Sequence, residues 1–164
     1  MAEVISNTSP VLYLHRIGKL GWLRELFSAV WIPDAVIEEL REGRKRGYDV
    51  PDPESLEGIQ TVVPQSVPSA WLTLDLGAGE LETLALALEN PERVVLLDDD
   101  LARRIGQAAG LTVWGTLKVL LAAKDAGLTP SIAHHLTRLT ESGMWVSDSL
   151  RRRILALAGE ELLE

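Results

Sequence analysis

The sequence contains no cysteine, and aromatic residues make up only 5% of its 164 residues. The absence of cysteine excludes disulfide bonds, thiolate metal sites and cysteine nucleophiles. No apolar run approaches the roughly 20 residues that a membrane-spanning helix requires. The segment from Met1 to Ile5 lacks the basic start and the long apolar stretch of a signal peptide. These absences together predict a cytoplasmic protein that does not associate with membranes.

Basic residues are also few, with 16 Lys and Arg against 24 Asp and Glu and a net charge of −8. This balance argues against a broad nucleic-acid-binding surface, which normally presents clustered Lys and Arg. A site for divalent cations, however, requires an excess of carboxylates. The local grouping of charges is therefore more informative than their total.

Short apolar runs, mostly β-branched, alternate with helical patterns along the chain. Continuous runs of this kind are typical of strands that are covered on both faces. The five predicted strands are Val4-Ile5, Val30-Trp31-Ile32, Thr61-Val62-Val63, Val94-Val95-Leu96-Leu97 and Thr112-Val113-Trp114. The alternation implies a three-layer α/β/α fold with a mostly parallel sheet of four to five strands.

The helical periodicities predict two short helices after the first strand and three longer ones between the later strands. The longer helices begin at about Pro33, near Gly79 and at about Leu101. The segment from Gly43 to Glu57, rich in Gly, Pro and charge, is predicted to be a loop. After the fifth strand the pattern is wholly helical. We expect one domain over 1–164, with a core of about 1–127 and a helical extension of about 128–164.

Polar and acidic residues follow two of the predicted strands. Asn7, Thr8 and Ser9 come after the first strand, and Asp98 and Asp99 come after the fourth. In open parallel sheets, sites form beyond the carboxyl ends of the strands, so these residues are predicted to share one edge. Asn, Thr and Ser also favour helix N-termini, and we expect the first group to cap the following helix as well.

Two helices are predicted to add carboxylates at the same edge. With roughly 100° per residue around a helix, Glu39 lies about 105° from the buried stripe, while Glu38 lies about 155° away and faces water. In the later helix, Glu80 lies about 90° from the stripe and Glu82 about 110°. Glu80 also falls in the first helical turn, where the helix dipole favours a carboxylate by roughly 0.3–1 kcal/mol. The candidate cluster is Asn7, Glu39, Glu80, Asp98 and Asp99.

Carboxylates at such close range repel one another. At about 4 Å and an effective dielectric constant of about 20, each pair costs on the order of 4 kcal/mol. Either some of them are protonated or a hard cation neutralises them. Because all ligands are oxygens, Mg²⁺ or Mn²⁺ is the predicted cofactor. Such an ion activates water and braces a phosphate.

The same residues belong to sequence motifs that resemble the PIN-domain superfamily, most closely a prokaryotic branch related to toxin–antitoxin ribonucleases. The motifs are Val4-Ile5-Ser6-Asn7-Thr8-Ser9-Pro10, Ile32-Pro33 with Val36-Ile37-Glu38-Glu39-Leu40, Gly77-Ala78-Gly79-Glu80, Leu97-Asp98-Asp99 with Ala102-Arg103-Arg104, and Gly115-Thr116-Leu117. Their order and spacing extend the resemblance over nearly the whole chain.

The resemblance implies an endoribonuclease that uses Mg²⁺ or Mn²⁺ to hydrolyse single-stranded RNA. It places the metal ligands at Asn7, Glu39, Glu80 and Asp99, with Asp98 as an alternative for the last. Glu39, Glu80, Asp98 and Asp99 are then the catalytic candidates, and Thr8 and Ser9 match the polar residues that follow the first acidic position. The resemblance further implies a homodimer and, for a toxin, a small antitoxin as partner.

Several alternatives remain at this stage. Asn7 stands where the family usually has Asp, so the chain could instead be a catalytically weakened module that binds RNA or a protein partner. The basic run Arg44, Lys45 and Arg46 either contacts RNA phosphates or forms a solvated, mobile loop. Arg103 and Arg104 follow the acidic edge by one helical turn, so one of them either reaches a phosphate or pairs with Asp99 or Asp100.

Overall fold

A five-stranded sheet, in which all strands are parallel, forms the centre of the protein. The computed structural model describes residues 1–160, so the last four residues of the expected helical extension lie outside the described part. The strand order is β3-β2-β1-β4-β5. The strands are β1 (Val4–Ser6), β2 (Val30–Ile32), β3 (Ile59–Thr61), β4 (Val94–Leu96) and β5 (Thr112–Trp114). The expected three-layer α/β/α fold is confirmed.

Eight α-helices cover the sheet within the described residues. They are α1 (Thr8–Arg16), α2 (Trp22–Leu26), α3 (Asp34–Lys45), α4 (Ala78–Glu89), α5 (Asp100–Ala108), α6 (Thr116–Asp125), α7 (Ala133–Glu141) and α8 (Asp148–Leu157). Two short 3₁₀ helices, Pro53–Ser55 and Ser69–Thr73, lie in the long connections on either side of β3. β1 and β4 pair in parallel, which brings the carboxyl ends of these two strands next to each other.

The two faces of the sheet pack against different helices. Val4, Val30 and Val94 are paired across neighbouring strands and face α1, α2 and α6. Ile5 and Val95, one residue further along, face α4 and α5. Successive side chains in a strand point to opposite faces, so each central strand is buried on both sides. This explains why its sequence is continuously apolar.

Of the two outer strands, β5 has the predicted bounds and β3 differs from the sequence prediction. β3 contains Ile59 to Thr61, so the prediction of Thr61 to Val63 was shifted along the chain, and Val63 is 66% exposed. Both residues that follow Ile59 in β3 are exposed. At an edge of the sheet, backbone pairing rather than burial of side chains defines the strand. An apolar run is therefore a poor guide to its position.

Helix α3 is longer than expected and occupies the start of the predicted loop from Gly43 to Glu57. It continues through Lys45 and ends where Gly47 takes a positive φ of 81°. The backbone N–H of Tyr48 donates to the carbonyl of Gly43, and that of Gly47 donates to Arg44. These two bonds form the Schellman motif, which needs a left-handed residue that glycine supplies without strain. The charged residues before Gly47 therefore lie on a helix.

The C-terminal helices share a core with the central sheet. Leu136 and Leu139 of α7 and Ile154 of α8 belong to the same buried cluster as Val4 of β1. Glu160 stabilises the N-terminus of α7, because its carboxylate accepts hydrogen bonds from the backbone N–H groups of Ile132 and Ala133. Among residues 1–160, we find no helix whose length and apolar character would suit a bilayer crossing.

Candidate functional site

Asn7 is the most unusual polar residue at the carboxyl edge of the sheet. It follows β1, is the N-cap residue of α1, and is only 3% exposed. Its side chain makes no capping hydrogen bond, so the expectation that Asn7 caps the helix through its side chain was wrong. Within the described part of the chain, its buried Oδ1 has no hydrogen-bond partner. A buried acceptor without a donor costs about 1–3 kcal/mol, which makes this oxygen a candidate ligand atom.

Glu39 lies beside Asn7 and is held from two sides. The Thr8 hydroxyl donates to Glu39 Oε1 at 2.5 Å, and the Gly79 backbone N–H donates to Oε2 at 3.3 Å. A Cβ atom at Gly79 would lie 3.0 Å from Asn7 Oδ1 and closer still to Glu39 Oε1. Only glycine leaves room for both side chains here, so the start of α4 closes directly over them.

Glu80 enters the same edge from the first turn of α4. Its Oε2 accepts a hydrogen bond from the backbone N–H of Gly77 at 3.0 Å, as in a capping box. Burial raises the pKa of the Glu80 carboxyl, and the negative charges of Asp99 and Glu39 raise it further, against the Gly77 hydrogen bond. The charges of Asp99 and Glu39 therefore act on Glu80 at this edge of the sheet.

Asp99 is an exposed residue whose carboxylate caps α5. Its Oδ2 accepts a hydrogen bond from the backbone N–H of Ala102 at 2.9 Å. The cap fixes the side chain at the end of β4, on the side of the sheet edge that Glu80 shares. A carboxylate at this position also interacts favourably with the dipole of α5.

Asp98 points away from that group and connects β4 to α6. Its Oδ1 accepts from the Thr116 backbone N–H at 2.8 Å, and its Oδ2 accepts from the Thr116 hydroxyl at 2.7 Å. Burial raises the pKa of the Asp98 carboxyl, and the two Thr116 hydrogen bonds and the Arg103 charge oppose this effect. Both carboxylate oxygens are engaged, so Asp98 fixes the loop that carries Asp99.

Replacing Asp98 by Ala is expected to lower the free energy of unfolding by about 2 kcal/mol, because two Thr116 donors lose their acceptor. Asp98→Asn should cost less than half as much, since the amide can accept from the backbone N–H and donate to the hydroxyl. Urea denaturation measures both. Asp100→Ala is the control, since the Asp100 side chain is 86% exposed. Equal losses of unfolding free energy for Asp98→Ala and Asp98→Asn would contradict a stabilising pairing of Asp98 with Thr116.

The predicted metal ligands only partly fit a divalent cation. Among residues 1–160, no three acidic or histidine side chains are grouped closely enough to hold a metal ion between them. Each carboxylate is instead bonded to nearby backbone or to Thr8. The unpaired Asn7 Oδ1 next to Glu39 is the feature that fits a hard cation, because amide and carboxylate oxygens are suitable ligands.

The residues predicted to bind substrate lie at different distances from this edge. Thr8 is part of the site through Glu39, and Ser9 lies half-buried in the first turn of α1. Arg103 donates to the Leu97 carbonyl at 3.0 Å, which places its guanidinium beside Asp98. The pairing expected next to the acidic edge is made by Arg104, which contacts Asp100 at 3.0 Å.

The predicted basic run lies at the far end of α3. Arg44 and Lys45 are exposed, and Arg46 donates to Glu42 at 3.0 Å. At 1.5 Å per residue, Arg46 lies about 10 Å along the helix axis from Glu39. The run is therefore neither a mobile loop nor in contact with the acidic group.

Two residues of the site were missed by the sequence interpretation. Thr116 was noted only as part of a motif, and its partnership with Asp98 needs the pairing of β4 with β5. Gly79 was noted only as the start of a helix and as part of a motif, whereas its lack of a side chain leaves space for Asn7 and Glu39. The position of Gly79 immediately before Glu80, a predicted site residue, was the only sequence signal that Gly79 belongs to the site.

Comparison with known proteins identifies the family. A family model described as a PIN domain matches residues 3–160, which is nearly the whole chain. The chain belongs to the PIN-domain superfamily. The resemblance inferred from the motifs is thus confirmed, and the fold of this PIN domain is one associated with nucleases.

One curated protein is also similar to this PIN domain over part of its length. It is a phosphoglycerate kinase from Desulforudis audaxviator (strain MP104C), 31% identical over 99 residues. The match covers 51% of this chain and 25% of the kinase, so the PIN domain corresponds to only a quarter of that protein. No solved structure matches the chain. The partial likeness to a kinase carries no argument about activity.

Proposed function

We propose that this PIN domain is a metal-dependent endoribonuclease that hydrolyses phosphodiester bonds in single-stranded RNA. The observation that supports it best is the buried Asn7 Oδ1, which has no partner among the described residues and lies beside Glu39. Buried polar groups in folded proteins are mostly hydrogen-bonded, so an unpaired acceptor beside a carboxylate is suited to a bound cation or water. Glu80 and Asp99 lie at the same edge of the sheet, so an all-oxygen ligand set can assemble there.

In this proposal Asn7, Glu39, Glu80 and Asp99 hold Mg²⁺ or Mn²⁺. The ion would lower the pKa of a bound water and brace the scissile phosphate. Thr8 keeps Glu39 oriented through its hydroxyl, and the Gly79 N–H restrains the other oxygen of the same carboxylate. Asp98 acts as a positioning residue, because Thr116 occupies both of its oxygens.

Glu80→Gln is the variant that tests the proposal most cleanly. Gln can still accept the hydrogen bond from Gly77, so the start of α4 is retained while the negative charge is lost. With a labelled single-stranded RNA and Mn²⁺, we expect cleavage by the variant to fall at least about tenfold, the scale seen when a metal site loses a supporting group. EDTA should abolish cleavage by the wild-type protein.

Glu82→Gln on the same helix is the matched control. Glu82 accepts from the backbone N–H of Ala35 at 3.3 Å, and Gln can preserve that bond as well. Its charge is not among those that raise the pKa of Glu80. Cleavage by Glu82→Gln should remain close to the wild-type rate. Equal cleavage by the wild-type and Glu80→Gln proteins would refute the proposed site.

A non-catalytic function is the second candidate, and the charge of the site favours it. Asn7 supplies no negative charge, and the described chain holds no ready group of three acidic ligands. A module of this kind would bind RNA or a protein partner without cutting RNA. Calorimetric titration with Mn²⁺ separates the two functions, because only the nuclease requires saturable metal binding at this edge.

The location, the oligomeric state and the protein partner of the nuclease are part of the same proposal. The family resemblance favours a cytoplasmic homodimer that acts as the toxin of a toxin–antitoxin pair, with a small antitoxin covering the acidic edge. Light scattering after size-exclusion chromatography would determine the oligomeric state. A mass of about one 18.0 kDa chain would reject the homodimer.

A further inference from the structure

A groove between α1 and α3 opens directly from the candidate site. It has a volume of about 350 Å³, and Thr8 and Glu39 line one end of it. Both helices begin at the carboxyl edge of the sheet, since α1 follows β1 and α3 follows β2. The groove therefore runs from the acidic group toward the opposite edge of the sheet, over about 10 Å of helix.

The floor of the groove is apolar. Leu12 and Leu40 contribute to it from the two helices, and Val50 closes it from the chain that follows α3. Val50 is packed tightly, because a Cβ atom at Gly43 would lie only 3.2 Å from its Cγ1. A fixed apolar floor suits the flat face of a nucleobase, which gains from leaving water.

Tyr48 forms one wall, and its position is fixed by the backbone. The Schellman motif at the end of α3 holds its N–H against the Gly43 carbonyl at 3.0 Å. The residue is nevertheless 60% exposed and lines the groove. An exposed aromatic residue on a well-defined backbone is the arrangement by which single-stranded nucleic acids are bound through stacking.

Two arginines line the far end of the groove, and both side chains are held in place. Arg16 donates to the carbonyls of Asp49 at 2.9 Å and Ser142 at 2.8 Å. Arg46 pairs with Glu42 at 3.0 Å while its side chain stays 65% exposed. The cations thus lie at the end of the groove that is remote from Glu39, where they complement a phosphate that is not being cleaved.

We propose that this groove binds a nucleotide of single-stranded RNA next to the cleavage site, with the base stacked on Tyr48 and a backbone phosphate on Arg46 and Arg16. The identity of the ligand rests on the proposed function, whereas the groove and its residues do not. In this proposal the RNA runs over the surface from the acidic edge along α1 and α3.

Binding without cleavage tests the groove by itself. The affinity of a short, fluorescently labelled oligoadenylate is measured by anisotropy in EDTA. Tyr48→Ala should raise the Kd about tenfold, in the range that loss of one stacking contact produces, and Tyr48→Phe should restore it to within about twofold. Arg46→Gln should raise the Kd as well and reduce the slope of log affinity against log salt by about 0.7, the value for one phosphate contact.

Matched variants elsewhere on the surface serve as controls. Trp145→Ala removes an aromatic residue that is 83% exposed, and Arg152→Gln removes an exposed arginine of α8. Both should bind oligoadenylate as the wild-type protein does. An unchanged Kd for Tyr48→Ala, or no saturable binding by the wild-type protein, would overturn the groove proposal. If Tyr48→Ala weakened binding of an oligolysine peptide but not of oligoadenylate, the groove proposal would also be overturned, in favour of a protein partner.

The two proposals fail in different ways. RNA binding that depends on Tyr48, combined with no cleavage in Mn²⁺, would keep the groove and reject the nuclease. Cleavage in Mn²⁺ with binding that is indifferent to Tyr48 and Arg46 would keep the nuclease and reject the groove. Thermal melting of each variant checks that the fold is intact.

Discussion

Replacing Asn7 by Asp is expected to raise the affinity for Mn²⁺ about 100-fold and to destabilise the metal-free protein. Asn7 is buried beside Glu39, so a second carboxylate here would repel the first. For a pair about 4 Å apart this repulsion is on the order of 4 kcal/mol, and partial protonation reduces it, so we expect a loss of about 2–4 kcal/mol. A divalent cation reverses the repulsion and gains a charged ligand.

Calorimetry gives the Mn²⁺ affinity, and thermal melting with and without Mn²⁺ gives the stability. The variant should melt lower than the wild-type protein in EDTA and recover in excess Mn²⁺, because a ligand at 100 times its Kd stabilises by about 2.7 kcal/mol. Cleavage of RNA should rise along with the affinity.

Asn90→Asp is the control for this variant. Asn90 ends α4, away from the acidic edge, and its side chain donates to the Leu86 carbonyl. The control should leave Mn²⁺ binding unchanged. A variant Asn7→Asp that is no less stable in EDTA, or that binds Mn²⁺ no better, would show that Asn7 and Glu39 do not form one site.

Acidification from pH 7 to pH 4 is expected to remove about 3 kcal/mol of stability through one residue, His135. This side chain is 3% exposed, and its ring lies 5.0 Å from the Trp22 ring and 3.8 Å from that of His134. Its Nδ1 has no hydrogen-bond partner among the described residues. Burial, together with the charges of His134, Lys19 and Arg138, lowers the pKa of His135 to about 4, and the charge of Glu160 opposes this effect.

The direction of the pH effect follows from the two pKa values. In the unfolded chain His135 has the ordinary pKa of about 6.5, so the unfolded state binds the proton more readily. The full stability is present above pH 6.5 and is lost as the pH falls toward 4. Each pKa unit corresponds to about 1.4 kcal/mol, which gives the expected total.

Urea unfolding at a series of pH values, compared with His135→Phe, measures this contribution. Phe keeps an aromatic ring against Trp22 but cannot be protonated, so the difference in unfolding free energy should change by about 3 kcal/mol between pH 7 and pH 4. His134→Asn is the control. Because His134 is exposed, this variant should keep most of the pH dependence of the unfolding free energy. Parallel pH profiles for the wild-type and His135→Phe proteins would contradict the prediction.

The central strands and the main helices were predictable because their burial imposes a pattern on the sequence. β1 and β4 are buried on both faces, so their residues form continuous apolar runs. The apolar period located α4, although the structure buries every residue from Thr83 to Ala87 and leaves Leu88 37% exposed. The edge strand β3 has only Ile59 in contact with the core, and the prediction was displaced toward Val63. Where side chains are exposed, hydrogen bonds between distant segments decide the structure, and composition does not record them.

The sequence by itself determined that the chain is α/β and that Asn7, Glu39, Glu80 and Asp99 belong to one edge of a parallel sheet. The alternation of strands and helices along the chain and the helix periodicity are local properties that carry this information. Only the tertiary structure decided what each carboxylate does. Asp98 and Asp99 are neighbours of the same chemical type, yet Thr116 occupies both oxygens of the first and α5 orients the second. Hydrogen-bond partners 18 residues apart arise from the pairing of β4 with β5, which no local pattern specifies.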